Sequence, residues 1–218
     1  TTTTDLRISA VNVTGLDDGI SAANRGTGVL SINLTGNVIS TSTDTSGGDY
    51  SYGIYAYNSG TNSTVTTSGD VTSNDRGIYS RSDGSGALSV ASTGDVTALG
   101  AGGIYADNAD WSSGSSAASS ATDIIIAANN VTAYGYGINT QNWGTGSTTI
   151  TATGQITGGS GQQDQTVDAY GIAIWNHSTA IDLRISASNV TGIGTGISAI
   201  NNGSGVTEVT VSGTIIGQ

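Results

Sequence analysis

The 218-residue chain contains no cysteine, proline, methionine or phenylalanine. Without cysteine it has neither disulfides nor thiolate metal sites, and that absence leaves the redox state of its surroundings open. Lysine is missing too, so the five cations are Arg7, Arg25, Arg76, Arg81 and Arg184. These are too few to displace phosphate counterions as a nucleic-acid binder must, or to grip anionic lipid. No stretch approaches the roughly 18 consecutive apolar residues of a membrane-spanning helix, so no membrane insertion of this segment is expected. The start, Thr1-Thr2-Thr3-Thr4-Asp5, lacks the charged-then-apolar pattern of an export signal, and any such signal is expected to lie outside this sequence.

What is present is small and polar: 34 Gly, 33 Thr, 30 Ser and 16 Asn make up more than half the chain. The formal net charge is −11 and only 35% of residues are hydrophobic. Low hydrophobicity with high charge can signal disorder. Here the apolar residues recur at fixed intervals, which argues for order.

The clearest marker is a Gly-Ile pair, at Gly19-Ile20, Gly53-Ile54, Gly77-Ile78, Gly103-Ile104, Gly137-Ile138, Gly171-Ile172 and Gly196-Ile197, spaced by 34, 24, 26, 34, 34 and 25 residues. A second marker is a Val or Ile, usually followed by Thr, at Val13, Val38, Val71, Val96, Val131, Ile156, Val190 and Ile215. Together they define a unit of about 25 residues carrying three insertions of about nine residues. The insertions fall around Thr41–Asp49, Ala109–Ala121 and Gly158–Asp168.

Each unit reads as three short strands. The first alternates apolar and polar residues, as in Leu6-Arg7-Ile8-Ser9-Ala10 and Leu183-Arg184-Ile185-Ser186-Ala187. The Val marker is the second strand, and Gly-Ile opens the third. Gly and Asn at the joints are expected to supply positive-φ corners. No apolar pattern of period 3.6 survives between the glycines, so helices are not expected. A strand triplet this short cannot bury its apolar face alone, so successive units must stack. The expected fold is all-β: a right-handed parallel β-helix of about seven complete coils plus a partial eighth. Residues 1–218 would form one solenoid segment, a rod on the order of 38 Å long at about 4.8 Å per coil.

Alternation puts the Ile columns inside and the residues between them outside. Asn24, Asn58, Asn108, Asn142, Asn176 and Asn201 recur at one place of the third strand, with Ser82 in the remaining coil. Their amides are expected to satisfy turn backbone groups and to bond from coil to coil.

The pattern Thr-Gly-Asp-Val-Thr followed by Gly-Ile-Tyr-Ala-x-Asn, at Thr93–Thr97 and Gly103–Asn108, resembles the β-helical passenger repeats of bacterial autotransporter adhesins. The likeness runs over essentially the whole chain. It implies an extracellular rod at the bacterial outer-membrane surface, or secreted from it, that adheres or self-associates and needs no cofactor. Asp5–Gly28 and Asp182–Gly205 are near copies, which suggests a piece of a longer array or a subunit of an end-to-end fibre.

Candidate chemistry is sparse. A lone His177, following Asn176, reads as a solvated turn residue, since a catalytic base needs a nucleophile and an orienting acid beside it. Asp70 and Asp95 take the same place in adjacent coils, with Asp75, Arg76, Arg81, Asp83 and Asp107 in the same two coils. Paired carboxylates can bind a hard cation or share a proton, so they are weak metal candidates. They can equally form surface ion pairs of small energy. The strongest functional sign is an outward aromatic column, Tyr55, Tyr79 and Tyr105, with Tyr57 on the neighbouring outward place. Aromatic faces with polar tips suit sugar rings or a protein partner. Stacked tyrosines can also simply stabilise a sheet surface. The reading that follows is a non-enzymatic adhesive β-helix whose partners are copies of itself, or host or matrix glycans or proteins. A carbohydrate-active or calcium-dependent polysaccharide-binding β-helix is the alternative.

Overall fold

The computed structural model describes residues 4–42, 50–108, 120–161 and 169–217. The three insertions lie for the most part outside the described residues. Among the described residues there is no helix, and the strands pair in parallel within two open sheets, with no closed barrel. One isolated antiparallel bridge joins Ala169 and Ile193.

The strands form three columns. The first begins with Leu6–Ala10, Leu30–Leu34 and Ser63–Thr67 and continues to Thr207–Val211. The second holds three-residue strands such as Val13–Gly15, Val71–Ser73 and Val96–Ala98. In Thr148–Gly158 and Leu183–Gly192 the first and second strands run together. The third column is Ile20–Asn24, Tyr52–Asn58, Arg76–Ser82, Ile104–Asp107, Ile138–Asn142, Ala169–Asn176 and Gly194–Asn201. Register is kept residue for residue: Ile20 faces Ile54, Ile54 faces Ile78, Ile78 faces Ile104, and Val71 faces Val96. This stacking is the one expected of a parallel β-solenoid.

The core is a set of columns rather than a cluster. Ile54, Ile78, Ile104, Ile138 and Ile172 are fully buried, as are Val38, Val71, Val131, Ile156 and Val190. Each side chain packs on its equivalents in the coils before and after, so a few apolar residues per coil make a continuous interior.

The glycines of the Gly-Ile marker have a different reason from the one expected. Among the described residues only Gly86, Gly159, Gly161 and Gly194 have positive φ, and no non-glycine residue does. The marker glycines are required by close approach instead. A Cβ on Gly77 would lie 2.5 Å from the carbonyl oxygen of Gly103 and 2.5 Å from Val96 Cγ1. The same contact recurs from Gly53 to the Gly77 carbonyl at 2.7 Å and from Gly103 to the Gly137 carbonyl at 2.6 Å.

Polar side chains extend the stacking at the corner before the second column. Asn12 Oδ1 accepts the Asn37 backbone N–H at 2.9 Å, Asn37 Oδ1 accepts that of Asp70 at 3.0 Å, and Asp70 Oδ1 that of Asp95 at 2.9 Å. Asn130 and Asn189 do the same for Gln155 and Thr214. At the corner before the first column the acceptor appears in alternate coils, where Asp5, Asn62, Asp123 and Asp182 take the N–H groups of Val29, Ala87, Ser147 and Val206.

These contacts separate two kinds of glycine. Gly77→Ala is expected to destabilise the fold by about 3 kcal/mol or more, the upper end of overpacking costs. Gly161 has φ of 82° and nothing within 4 Å of an added Cβ, so Gly161→Ala should cost only the left-handed strain of about 1–2 kcal/mol. Thermal or urea unfolding of the two variants measures the difference, and equal losses would refute the close-approach explanation.

Candidate functional site

The third-column sheet presents three outward rows. One row is the residue before the marker glycine, the second is the residue after the marker Ile, and the third lies two residues further on. In the Tyr52–Asn58 and Arg76–Ser82 strands the Gly and Ile are both buried, while the residues on either side of that pair stand half-buried on the surface. The first two rows therefore face the same way and their side chains meet.

They meet as one aromatic band. Tyr55 packs on Tyr79 with ring centroids 5.8 Å apart, and Tyr79 meets Tyr105 edge-on at 6.1 Å. The preceding row joins in: Tyr52 stacks on Tyr79 at 5.7 Å, Tyr105 meets Tyr136 at 6.2 Å, and Tyr136 stacks on Tyr170 at 5.3 Å with rings 2° from parallel. Tyr50 extends the band beyond Tyr52 at 6.4 Å. At Gly102 the first row lacks a side chain and the Tyr105 ring fills the space, since a Cβ there would collide with the ring.

Arg76 sits in the centre of the band. Its guanidinium carbon lies 3.6 Å from the Tyr50 ring centroid, 5.2 Å from that of Tyr105 and 5.8 Å from that of Tyr79. All lie within cation–π range. Burial raises the phenol pKa of Tyr79 and pushes that of Tyr105 up to about 12, so these hydroxyls stay protonated donors. Beside Arg76, Asp75 is buried, and burial raises its carboxyl pKa against the opposing charge of Arg76.

Tyr57 does not join the band. Its hydroxyl donates to Asp83 Oδ2 at 2.9 Å and accepts from Ser59 Oγ at 2.8 Å. Arg81 grips the same carboxylate with Nε at 2.7 Å and Nη2 at 2.9 Å. Next in that row is Asp107, paired in register with Arg81. Burial pushes its carboxyl up to about 7, opposed by the backbone N–H of Gln141 and by the charges of Arg81 and Arg76.

Of the six asparagines, Asn24, Asn58, Asn142 and Asn176 bond within their own turns, whereas Asn108 reaches into the turn of the next coil, where its Oδ1 accepts the Trp143 N–H at 2.7 Å and the Gly144 N–H at 3.2 Å. Asn58 donates to the Asn62 carbonyl at 2.9 Å and accepts the Gly60 N–H at 3.1 Å. Asn24 makes the same pair of contacts in its turn, with the Gly28 carbonyl and the Gly26 N–H. Asn201 accepts the Gly203 N–H but donates to the Ile181 carbonyl in the preceding coil at 3.1 Å as well as to the Val206 carbonyl at 3.4 Å. Asn176 donates to the Asp182 carbonyl at 2.8 Å. An amide-to-amide bond between coils occurs once among the described residues, from Asn108 Nδ2 to Asn142 Oδ1 at 2.7 Å. Between Asn142 and Asn176 the Thr148 hydroxyl stands in, accepting from Asn142 Nδ2 at 3.0 Å and donating to Asn176 Oδ1 at 2.6 Å, so a continuous amide-to-amide ladder does not form.

Asp70 and Asp95 lie in the corner ladder, away from the third-column charges. Asp70 Oδ1 accepts the Asp95 N–H, and Asp95 Oδ1 accepts from Asn130 Nδ2 at 2.9 Å and Asn129 Nδ2 at 3.2 Å. Among the described residues no three His, Cys, Asp or Glu side chains converge as a metal site. His177 differs from the solvated residue expected. It lies half-buried between the faces of Trp143 and Trp175, with interplanar angles of 17° and 18°, and burial lowers its pKa.

The row before the marker glycine was the available sign that sequence reasoning passed over. Tyr52, Arg76, Tyr136 and Tyr170 all occupy it. Comparison with protein-family models, curated proteins and solved structures finds no match for this chain.

The raised carboxyl of Asp107 makes stability pH-dependent. Its folded value lies above the ordinary 3.8, so the folded state holds the extra proton and loses stability as pH rises from about 4 to about 7. Asp75 shifts in the same direction and shares part of that window. Asp107→Asn is expected to flatten this fall, raising Tm more at pH 8 than at pH 4.5. Thermal melts across that range check it; an equal shift at both pH values would contradict the buried-carboxyl assignment.

Proposed function

We propose that the chain is a segment of a right-handed parallel β-helix, about seven coils with a partial eighth, that works as a non-enzymatic adhesive or self-associating rod outside the cell. The observation that carries the reading is the continuous tyrosine band with Arg76 at its centre. Such a band offers flat apolar faces and protonated hydroxyl tips on a backbone locked by coil-to-coil pairing. It contains no nucleophile–base pair, which fits display better than catalysis. The resemblance to autotransporter passenger repeats supports the same reading and suggests the outer-membrane surface of a bacterium.

The mechanism is additive. A single half-buried tyrosine contributes little, but equivalent rings one coil apart meet an equally periodic partner in register. Many weak contacts then act together at high effective concentration. A second rod of the same kind has the matching repeat, and so does a polysaccharide laid along the axis. The calcium-dependent alternative gains less support. Asp70 and Asp95 already accept backbone and amide N–H groups from neighbouring coils.

Self-association is tested by sedimentation velocity and by aggregation of protein-coated beads. The wild-type chain is expected to assemble as concentration rises and to clump beads. The triple variant Tyr55→Ala, Tyr79→Ala, Tyr105→Ala, checked by circular dichroism for an intact fold, should lose most of both. A wild-type protein that stays monomeric at high concentration and leaves beads dispersed would sink self-association.

A further inference from the structure

Halfway along the third-column sheet, the surface changes. The row after the marker Ile holds Tyr55, Tyr79 and Tyr105 in three successive coils, then Asn139, Ala173 and Ser198 in the next three. The flanking rows are mostly large there: Tyr136 and Tyr170, then Thr195, on one side, and Gln141, Trp175 and Ile200 on the other. A row of small residues between two rows of large ones is a groove. Its volume is about 330 Å³, near the lower end of the ~300–1,000 Å³ usual for small-molecule sites.

The walls are aromatic and braced. Tyr136 and Tyr170 form one wall as a parallel stacked pair. Trp175 stands on the other, 44% exposed, with its indole fixed by stacking on His177, itself stacked on Trp143. A braced aromatic loses little conformational entropy when a ligand lies against it.

The polar groups are neutral. No charged side chain lines the groove. Asn139, Gln141 and Ser198 offer amides and a hydroxyl, groups that both donate and accept. Among the described residues the side-chain amides of Asn139 and Gln141 make no hydrogen bond; Gln141 bonds through its backbone, its N–H donating to Asp107 Oδ1 and its carbonyl accepting from the Asn108 N–H. Aromatic walls suit a ligand with C–H faces, the unpaired amides suit one rimmed with hydroxyls, and the lack of charge selects against carboxylates, sulfates and phosphates.

We propose that this groove binds a neutral saccharide, with a sugar ring against Trp175 and its hydroxyls bonded to Asn139 and Gln141. The proposal rests on the reading of this sheet as a display surface and names one ligand class for one part of it. In the tyrosine-filled half the same row carries the rings of Tyr55, Tyr79 and Tyr105, which serve contacts between flat faces.

The test is a titration of the whole chain with cellohexaose and a galacto-oligosaccharide, with oligogalacturonate as the charged comparison, followed by tryptophan emission and calorimetry. Saturable binding of a neutral oligosaccharide, stronger than of the uronate, is expected. Trp175→Ala should weaken it by about tenfold or more, as loss of a central aromatic contact does. Because Trp175→Ala also removes a stacking partner of His177, Ala173→Trp provides an independent variant that fills the floor and leaves both walls in place. It should abolish binding, while the Tyr55, Tyr79, Tyr105 triple variant should keep it. Absence of saturable binding by both neutral oligosaccharides overturns the proposal, as does binding that Ala173→Trp leaves unchanged. If neither neutral oligosaccharide binds but Ala173→Trp blocks bead aggregation, the groove is a contact between copies. That result overturns the saccharide assignment and leaves the adhesive reading standing.

Discussion

The distance between stacked coils governs the rest of the structure. Parallel strands one above another lie about 4.8 Å apart, and at the Gly-Ile corner the chain passes with its backbone against the carbonyl of the next coil. Gly19, Gly53, Gly77, Gly103, Gly137 and Gly171 would each place a Cβ within 2.5 to 2.7 Å of the corresponding glycine carbonyl one coil on. No side chain fits, so glycine is fixed there in every complete coil. With the corner fixed, the following Ile must point inward at the same height each time, and the Ile column follows. Val71, Val96 and Val131 complete the contact, since their Cγ1 atoms stand 2.5, 2.5 and 2.3 Å from the Cβ that Gly53, Gly77 and Gly103 lack. The two sequence markers are thus two sides of one packing contact.

The same spacing explains how a chain so poor in hydrophobic residues holds together. Isolated surface hydrogen bonds contribute little, but a buried backbone group left unpaired is costly. At the solvent-exposed corners, Asx side chains take up backbone N–H groups of the following coil from Asn12 through Asn37 and Asp70 to Asp95, small contributions that repeat from coil to coil. The buried asparagines do this inside the turns. Part of the negative charge therefore serves structure: Asp5, Asp70, Asp123 and Asp182 are acceptors that happen to be acidic. Arg7 and Arg184 lie beside Asp5 and Asp182 as exposed ion pairs, whose own energetic contribution is small.

Most of the interior was legible in the sequence because a column repeats its residue type. The three strands per unit, the inward Ile and Val and the outward Tyr55, Tyr79 and Tyr105 all follow from position within the repeat. The role of glycine was misjudged, since composition cannot separate a glycine that needs positive φ, such as Gly86, from one that needs space, such as Gly77. The site was half legible. Side-chain alternation assigns Tyr57 and Tyr55 to one face, but not that Asp83 and Arg81 draw Tyr57 out of the aromatic band. Nor does alternation show that Gly and Ile are both buried at the marker, which is what brings Tyr52, Arg76, Tyr136 and Tyr170 onto the face of the tyrosine row. His177 was misread for a similar reason. Trp143 lies one coil before His177 and meets it only because equivalent turns stack, while Trp175 is two residues from it along the chain.

A solenoid separates stability from recognition more cleanly than a compact core does. Inward places are constrained by the coil above and the coil below, so Ile54, Ile78 and Ile104 cannot vary independently. Outward places touch mainly other outward side chains of the same sheet, along the column and across rows, and a change there alters the surface without disturbing the stack. Replacing tyrosine by Asn139, Ala173 and Ser198 across three coils opens a groove while the Ile138 and Ile172 column beneath stays buried. The aromatic band and the groove are consequently two settings of one row on one unchanged backbone, and the length of each surface is set by how many successive coils carry the same choice.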